Sequence, residues 1–220
     1  MIKRNLLIAI LILCSIGIIK GQTVSDSLAI MSARWKVESP QKGIIHKYAS
    51  IPRLYQGTQS VSLIEIEPGA GLKVDIAVSD EMKETSRIAS EHRGIAAING
   101  SYFDMKRGNS VCFLKVGNQV VDTTTLSECK LRVTGAMHVH KGKIKLIPWS
   151  RQIEKEYKGE TGIVLASGPL MLKDGQICDW NSCGTNFIRT KHPRSAVATT
   201  KEGKILLITV DGRFPGKPKE

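Results

Sequence analysis

Aromatic residues are scarce, 5% of 220, and acidic residues are outnumbered, 20 against 32 lysines and arginines. A nucleic-acid surface needs a basic stripe interleaved with stacking aromatics, or a helix aimed at a groove. Neither is present: the lysines come in ones and twos (Lys141, Lys143, Lys145; Lys201, Lys204) and never in a run of five. No nucleic-acid partner is expected. Also lacking is any apolar run of the roughly 20 residues that a spanning helix requires, since the longest, Leu6 to Ile19, falls short. Internal repeats, low-complexity tracts and linkers are missing too, which favours one domain. With 41% hydrophobic and 24% charged residues the composition is that of a globular protein and excludes wholesale disorder.

What is present begins with a leader. Lys3-Arg4 followed by Leu6 to Ile19 has the charged start and short apolar middle of a secretory signal. Small residues at Ser15 to Gly17 and at Gly21 place cleavage so that residues 1–21 are removed and a domain of 22–220 begins near Gln22. Cys14 invites a lipoprotein reading, but Leu13 stands before it where a small residue is needed. The mature chain is therefore expected to be secreted or periplasmic, without a membrane span. Loss of Lys3, Arg4 and Lys20 still leaves it basic, which raises the odds of an anionic partner.

Four cysteines then remain, Cys112, Cys129, Cys178 and Cys183, an even number in an oxidising compartment. Two disulfides are the expectation, with chain proximity favouring Cys112 with Cys129 and Cys178 with Cys183, although four cysteines allow three pairings. Their spacing is too wide for a zinc site. His138 and His140 sit two apart on a predicted strand and share a face, but no third ligand accompanies them, so no metal is expected.

Leu72 to Val78 alternates apolar and polar residues with the period of a half-buried strand, and Val61 to Glu67 before it, across the turn Pro68-Gly69-Ala70-Gly71, predicts an antiparallel pair. Ser79 is placed to cap a helix with Asp80 and Glu81 in its first turn, Met82, Thr85, Ala89 and His92 along one face, and Gly94 at its end. Ile95 to Ile98 reads as a short apolar strand. Further on, Gly117-Asn118, Lys141-Gly142, Asp174-Gly175 and Glu202-Gly203 each separate two strand-like runs as hairpin turns. One helix, Arg151 to Tyr157, interrupts them. The fold class is α+β, a mainly antiparallel, hairpin-rich sheet with few helices.

Polar loops at the exits of apolar strands are where sites gather. One is Asn99 to Asp104; another is Asp211-Gly212-Arg213 after the apolar strand Ile205 to Val210; a third is Lys191 to Ser195. Pairing of strand 194–199 with 204–210 would bring Arg194 to the end where Asp211 and Arg213 emerge.

Three ordered motifs carry a resemblance. Ala96-Ala97-Ile98-Asn99-Gly100-Ser101-Tyr102-Phe103-Asp104 is similar to the "aiNGgFFd" signature of the phosphodiester glycosidase family; Ala166-Ser167-Gly168-Pro169-Leu170-Met171-Leu172-Lys173-Asp174-Gly175 resembles its "sGPlLl-dG" hairpin; and His192-Pro193-Arg194-Ser195-Ala196-Val197-Ala198 leading to Val210-Asp211-Gly212-Arg213 resembles its "PRTaiG … vDGR" block. Ser101 and Ala198 stand where the family has glycine. The sequence stops seven residues after Arg213, where the family continues to an "NLDGGGS" loop, so the family's C-terminal part is expected to be lacking.

The resemblance implies hydrolysis of a sugar-1-phosphate diester on a glycan or similar partner, without a cofactor. It implies that Arg194 and Arg213 hold the departing phosphate, that Asp211 or Asp104 acts as base or stabilises charge on the sugar ring, and that Asn99 takes part beside them. Gly100, Ser101, Ser167, Gly168 and Gly212 would line the substrate. The alternative is a non-catalytic secreted module that binds phosphorylated glycans on the same arginines.

Overall fold

The computed structural model describes residues 25–79, 81–159 and 161–212; the leader, Cys14, Asp80 and Arg213 lie outside these. Helix α1 (25–31) precedes β1 (Lys36–Gln41), β2 (Ile44–Leu54), β3 (Gly57–Ile66) and helix α2 (Thr85–Glu91). Then come β4 (Leu114–Val116), β5 (Gln119–Asp122), α3 (Leu126–Leu131), β6 (Gly135–His140), β7 (Lys143–Pro148), α4 (Arg151–Glu156) and β8 (Ile163–Ser167). A small hairpin, β9 (Leu172–Lys173) with β10 (Gln176–Ile177), leads through α5 (Thr185–Arg189) to β11 (Arg194–Thr199) and β12 (Ile205–Val210).

Two five-stranded sheets result, both antiparallel throughout. The first runs β1-β2-β3-β12-β11 and the second β5-β4-β8-β6-β7. The second sheet is thus nested in sequence between the halves of the first. The fold is α+β and hairpin-rich. All four glycine turns close hairpins, and at Lys141-Gly142 both residues are left-handed (φ 47° and 74°), the geometry whose twist matches the flanking strands. Helices α3 and α4 start where a hydroxyl serves the first turn: Thr125 accepts from the Glu128 amide and Ser150 from the Ile153 amide.

Each sheet has its own core. Phe113, Val133, Ala136, Trp149, Val164 and Ala166 form one, against which Tyr102 and Tyr157 pack; Ala49, Ile51 and Leu54 form the other, with Trp35 and Val61 beside them. β12 is paired on both edges, its second partner being β3 from far upstream, Leu207 lying opposite Ile64.

That pairing overturns the expected Leu72 to Val78 strand. With β2 on one edge of β3 and β12 on the other, no edge is left for it, and 72–79 carries no ladder. Ile95 to Ile98 is also irregular, with Ile95 58% exposed, because an apolar run specifies burial only when something covers it. The helix starts later than expected: the Ser79 hydroxyl donates to the Glu81 carbonyl at 2.7 Å in a local turn, and α2 begins at Thr85. It ends at Glu91, three residues before Gly94, with Arg93 left-handed (φ 56°). The two expected disulfides are absent, all four described cysteines being thiols. Buried Cys112 neighbours Ser101 and Tyr102, whereas Cys129 on α3 lies near Glu154 and Arg151. Cys178 is tied to the small hairpin by its amide bond to the Met171 carbonyl, and Cys183 closes a turn on the Trp180 carbonyl.

Glu154 is the polar pin of the second core. Its carboxylate accepts from the Thr124 amide at 2.8 Å, the Thr124 hydroxyl at 2.5 Å and the Trp149 indole at 3.0 Å. Glu154→Ala orphans these three donors and is expected to cost about 2–4 kcal/mol, measured as a drop in the urea midpoint at unchanged slope.

Candidate functional site

Segment 99–102 hangs between the two sheets. Ser195 on β11 donates its hydroxyl to Asn99 Oδ1 at 2.5 Å, while Ser101 donates to the Ala166 carbonyl on β8 at 2.7 Å. Tyr102 donates its hydroxyl to the Gly168 carbonyl at 2.6 Å. Gly100 lies against Leu165, whose Cδ2 would be 3.2 Å from a Cβ there. The loop that the sequence singles out is therefore a strap joining the N-terminal end of β11 to the C-terminal end of β8, and Asn99, Gly100, Ser101, Ser167, Gly168 and Arg194 converge on it.

Beside the strap, cations and aromatic rings are stacked. The Arg132 guanidinium sits 3.7 Å above the Tyr102 ring centre and 5.1 Å from that of Phe187; Arg194 lies 4.3 Å from Phe187. The two rings meet edge to face at 6.0 Å. Glu128, one helical turn before Arg132, grips it in a fork, with Nε to Oε2 at 2.6 Å and Nη2 to Oε1 at 2.8 Å. Arg194 has no such partner among the described residues: its Nη2 donates to the Phe187 carbonyl and to the Thr190 carbonyl at 3.1 Å.

Titration follows these surroundings. Burial pushes the Tyr102 hydroxyl up to about 12, although both guanidiniums pull it down. Burial lowers the Arg194 pKa, and the like charge of Arg132 adds to that. Burial also opposes the Arg132 cation, but Glu128 outweighs it and raises its pKa. Cys112, beneath the strap, is pushed up to about 11 by burial and stays a neutral thiol.

The carboxylates are placed differently from one another. Arg194 pairs with Val210, so the Asp211 backbone emerges beside it, as the sequence predicts, but the Asp211 carboxylate turns to β3 on the other edge of β12. Its Oδ1 accepts from the Ser60 amide at 2.8 Å and from the Gln59 side-chain amide at 3.1 Å, which ties the end of β12 to β3. Gly212 is pressed against the chain leading to Arg194, where a Cβ would lie 2.5 Å from the His192 carbonyl carbon. Asp104 is turned into its own loop, Oδ1 accepting from the Lys106 amide at 2.7 Å and the Arg107 amide at 3.1 Å. Those two bonds hold its pKa below the usual aspartate value. Arg213 lies outside the described residues. Among those described, no group of three or more potential ligands gathers for a metal, and the His138 and His140 rings stack 6.2 Å apart.

Sequence reasoning missed Glu128, Arg132 and Phe187. The first two carry a signal, an acid four residues before a base, but many surface pairs carry the same one.

Comparison with known proteins follows from this geometry. The family model described as phosphodiester glycosidase matches residues 92–219. Among solved structures, the fold resembles the catalytic domain of zebrafish N-acetylglucosamine-1-phosphodiester alpha-N-acetylglucosaminidase, auto-inhibited by pro-peptide, with a TM-score of 0.57 at 15% identity. The alignment covers 82% of this chain and 66% of that one, so the chain spans slightly less than two thirds of that domain's length. No curated protein matches.

Two outcomes are expected at this site. Gly212→Ala must push 191–193 away and displace Arg194, destabilising the protein by about 2 kcal/mol or more, checked by thermal unfolding, with the backbone shifts of Arg194 perturbed in NMR. Asp104, whose folded pKa is depressed, stabilises its turn fully above the usual aspartate pKa and loses that contribution as pH falls through the folded value. The amide shifts of Lys106 and Arg107 should accordingly titrate with a midpoint below 3.8.

Proposed function

The chain belongs to the phosphodiester glycosidase family, and on that premise we propose that it hydrolyses a sugar-1-phosphate diester, releasing free sugar and leaving a phosphomonoester on the other partner. The observation that carries this reading is Arg194, a half-buried cation without a carboxylate partner among the described residues, held beside a second guanidinium at the strap. A phosphodiester brings the single negative charge such a cation lacks.

In this reading water attacks the anomeric carbon. Its oxygen forms the new bond to C1, the bond from C1 to the phosphate oxygen breaks, and the electron pair leaves with the phosphomonoester. That leaving group is far better than an alkoxide, so less is asked of a general acid than in ordinary glycoside hydrolysis. Arg194, with Arg213, stabilises the departing phosphate. Asn99 and the Gly100 backbone orient the sugar or phosphate oxygens, with Ser101, Ser167, Gly168 and Gly212 shaping the walls. Asp211, which the β11 and β12 register sets next to Arg194, takes the proton from water or supports positive charge on the ring; Asp104 serves the loop turn instead. The name of the zebrafish relative makes N-acetylglucosamine the first sugar to test. The Lys3-Arg4 leader supports export to the periplasm or outside, residues 22–220 being the functional domain. No helix among the described residues is long and apolar enough to cross a membrane.

One observation favours the second reading, a module that binds phosphorylated glycans without cleaving them. Asp104 and Asp211 each commit an oxygen to backbone amides, and both Nη2 hydrogens of Arg194 go to backbone carbonyls.

The deciding measurement is release of N-acetylglucosamine from its methyl phosphodiester, with thermal protection by the same compound recorded alongside. The expected result is turnover that falls by about a hundredfold or more in Arg194→Lys, because an ammonium cannot reproduce a planar contact. Thermal protection without sugar release selects the binding module; full activity of Arg194→Lys overturns the clamp.

A further inference from the structure

Among the described residues the site holds two guanidiniums, of which only one is compensated, and that asymmetry has a chemical meaning. Glu128 is nearly buried, its side chain 10% exposed, and both of its oxygens are spent on Arg132. A fork at this burial is a neutral unit that still offers donors, since Arg132 keeps the Nη1 hydrogens and the second Nη2 hydrogen out of the five a guanidinium carries. Arg194, 4.3 Å from the centre of the same Phe187 ring, contributes its charge uncancelled, and among the described residues the groups that act on it electrostatically are Tyr102 and Arg132, neither of them an anion at neutral pH. Together the three groups present several N–H donors and one net positive charge.

We propose that Glu128 sets the charge selectivity of this site, holding the net charge of the cluster of Arg132, Glu128 and Arg194 at one so that it accepts a phosphodiester, which carries one negative charge, over a phosphomonoester, which carries nearly two above pH 7. The proposal rests on the anion-binding reading above and specifies it. Glu128 never touches the ligand; it acts through Arg132 and is a positioning and charge-setting residue. Without it the same donors would carry two positive charges, and the phosphomonoester that the proposed reaction leaves behind would be held in place. With it, that product enters a field matched to half its charge and is let go.

Methyl phosphate and dimethyl phosphate are the probes, with dissociation constants measured by NMR titration at pH 8, where the first is a dianion and the second a monoanion. In the wild type, dimethyl phosphate is expected to bind at least as tightly as methyl phosphate. Glu128→Gln should shift the ratio of the two constants toward methyl phosphate by roughly tenfold, the size of effect one nearby charge exerts at intermediate dielectric. The double variant Glu128→Gln with Arg132→Gln, which returns the net charge to one, should restore the wild-type ratio, something a merely structural role for Glu128 cannot do. Should Glu128→Gln fail to fold, Arg132→Gln alone must weaken both probes, methyl phosphate more. An unchanged ratio in folded Glu128→Gln overturns the proposal while leaving the site intact. If the wild type binds neither probe, the anion-site reading itself fails and takes the proposal with it.

Discussion

Segment 99–102 is held to one sheet through Asn99 and Ser195 and to the other through Ser101 with Ala166 and Tyr102 with Gly168, and each of these bonds fixes something beyond itself. Tying the Tyr102 hydroxyl down orients the ring on which Arg132 rests, and the same ring sets the edge against which Phe187 stands. Phe187 in turn anchors Arg194 twice, by its carbonyl and by its ring. Stacked cations gain about 0.5–2 kcal/mol each from such faces, less than the cost of leaving a half-buried guanidinium unpaired, so the arrangement rests on the hydrogen bonds of the strap and not on cation–ring attraction alone.

The contrast with the rest of the surface sharpens the point. Lys204 reaches Glu67 at 2.7 Å and Glu65 at 3.7 Å, Lys47 shares Glu65, and Lys83 with Arg87 brackets Glu91. Exposed pairs of this kind contribute little to stability. Arg194, by contrast, is matched among the described residues by backbone carbonyls alone.

What could be read from sequence was what local chemistry determines. Turn residues such as Lys141-Gly142 specify a hairpin wherever they occur, and strands 194–199 and 204–210 are close enough in sequence that their register, and so the placing of Asp211 beside Arg194, follows from the turn. Alternation in 72–78 was misleading because a strand also needs a vacant edge, and the occupant of that edge, β12, comes from far along the chain. The strap motif was legible as a loop with polar residues; that its serine and tyrosine would hang from carbonyls of β8 was not, since nothing in 99–102 encodes which strand lies beneath it. Arg132 was hidden for the opposite reason, its pairing with Glu128 being too ordinary to stand out.

The nesting of one sheet inside the other also imposes an order in time. Everything the inner sheet requires, β4 to β8, leaves the ribosome before β11 and β12 exist, whereas β3, ending at Ile66, waits for its second neighbour until Ile205 and the rest of β12 have emerged. At synthesis rates of about 5–20 residues per second, that wait is roughly ten seconds, long compared with the formation of any hairpin here. During it, the exposed edge of β3 is a strand looking for a partner, and the vectorial route to the native state depends on keeping that edge unclaimed until β12 arrives.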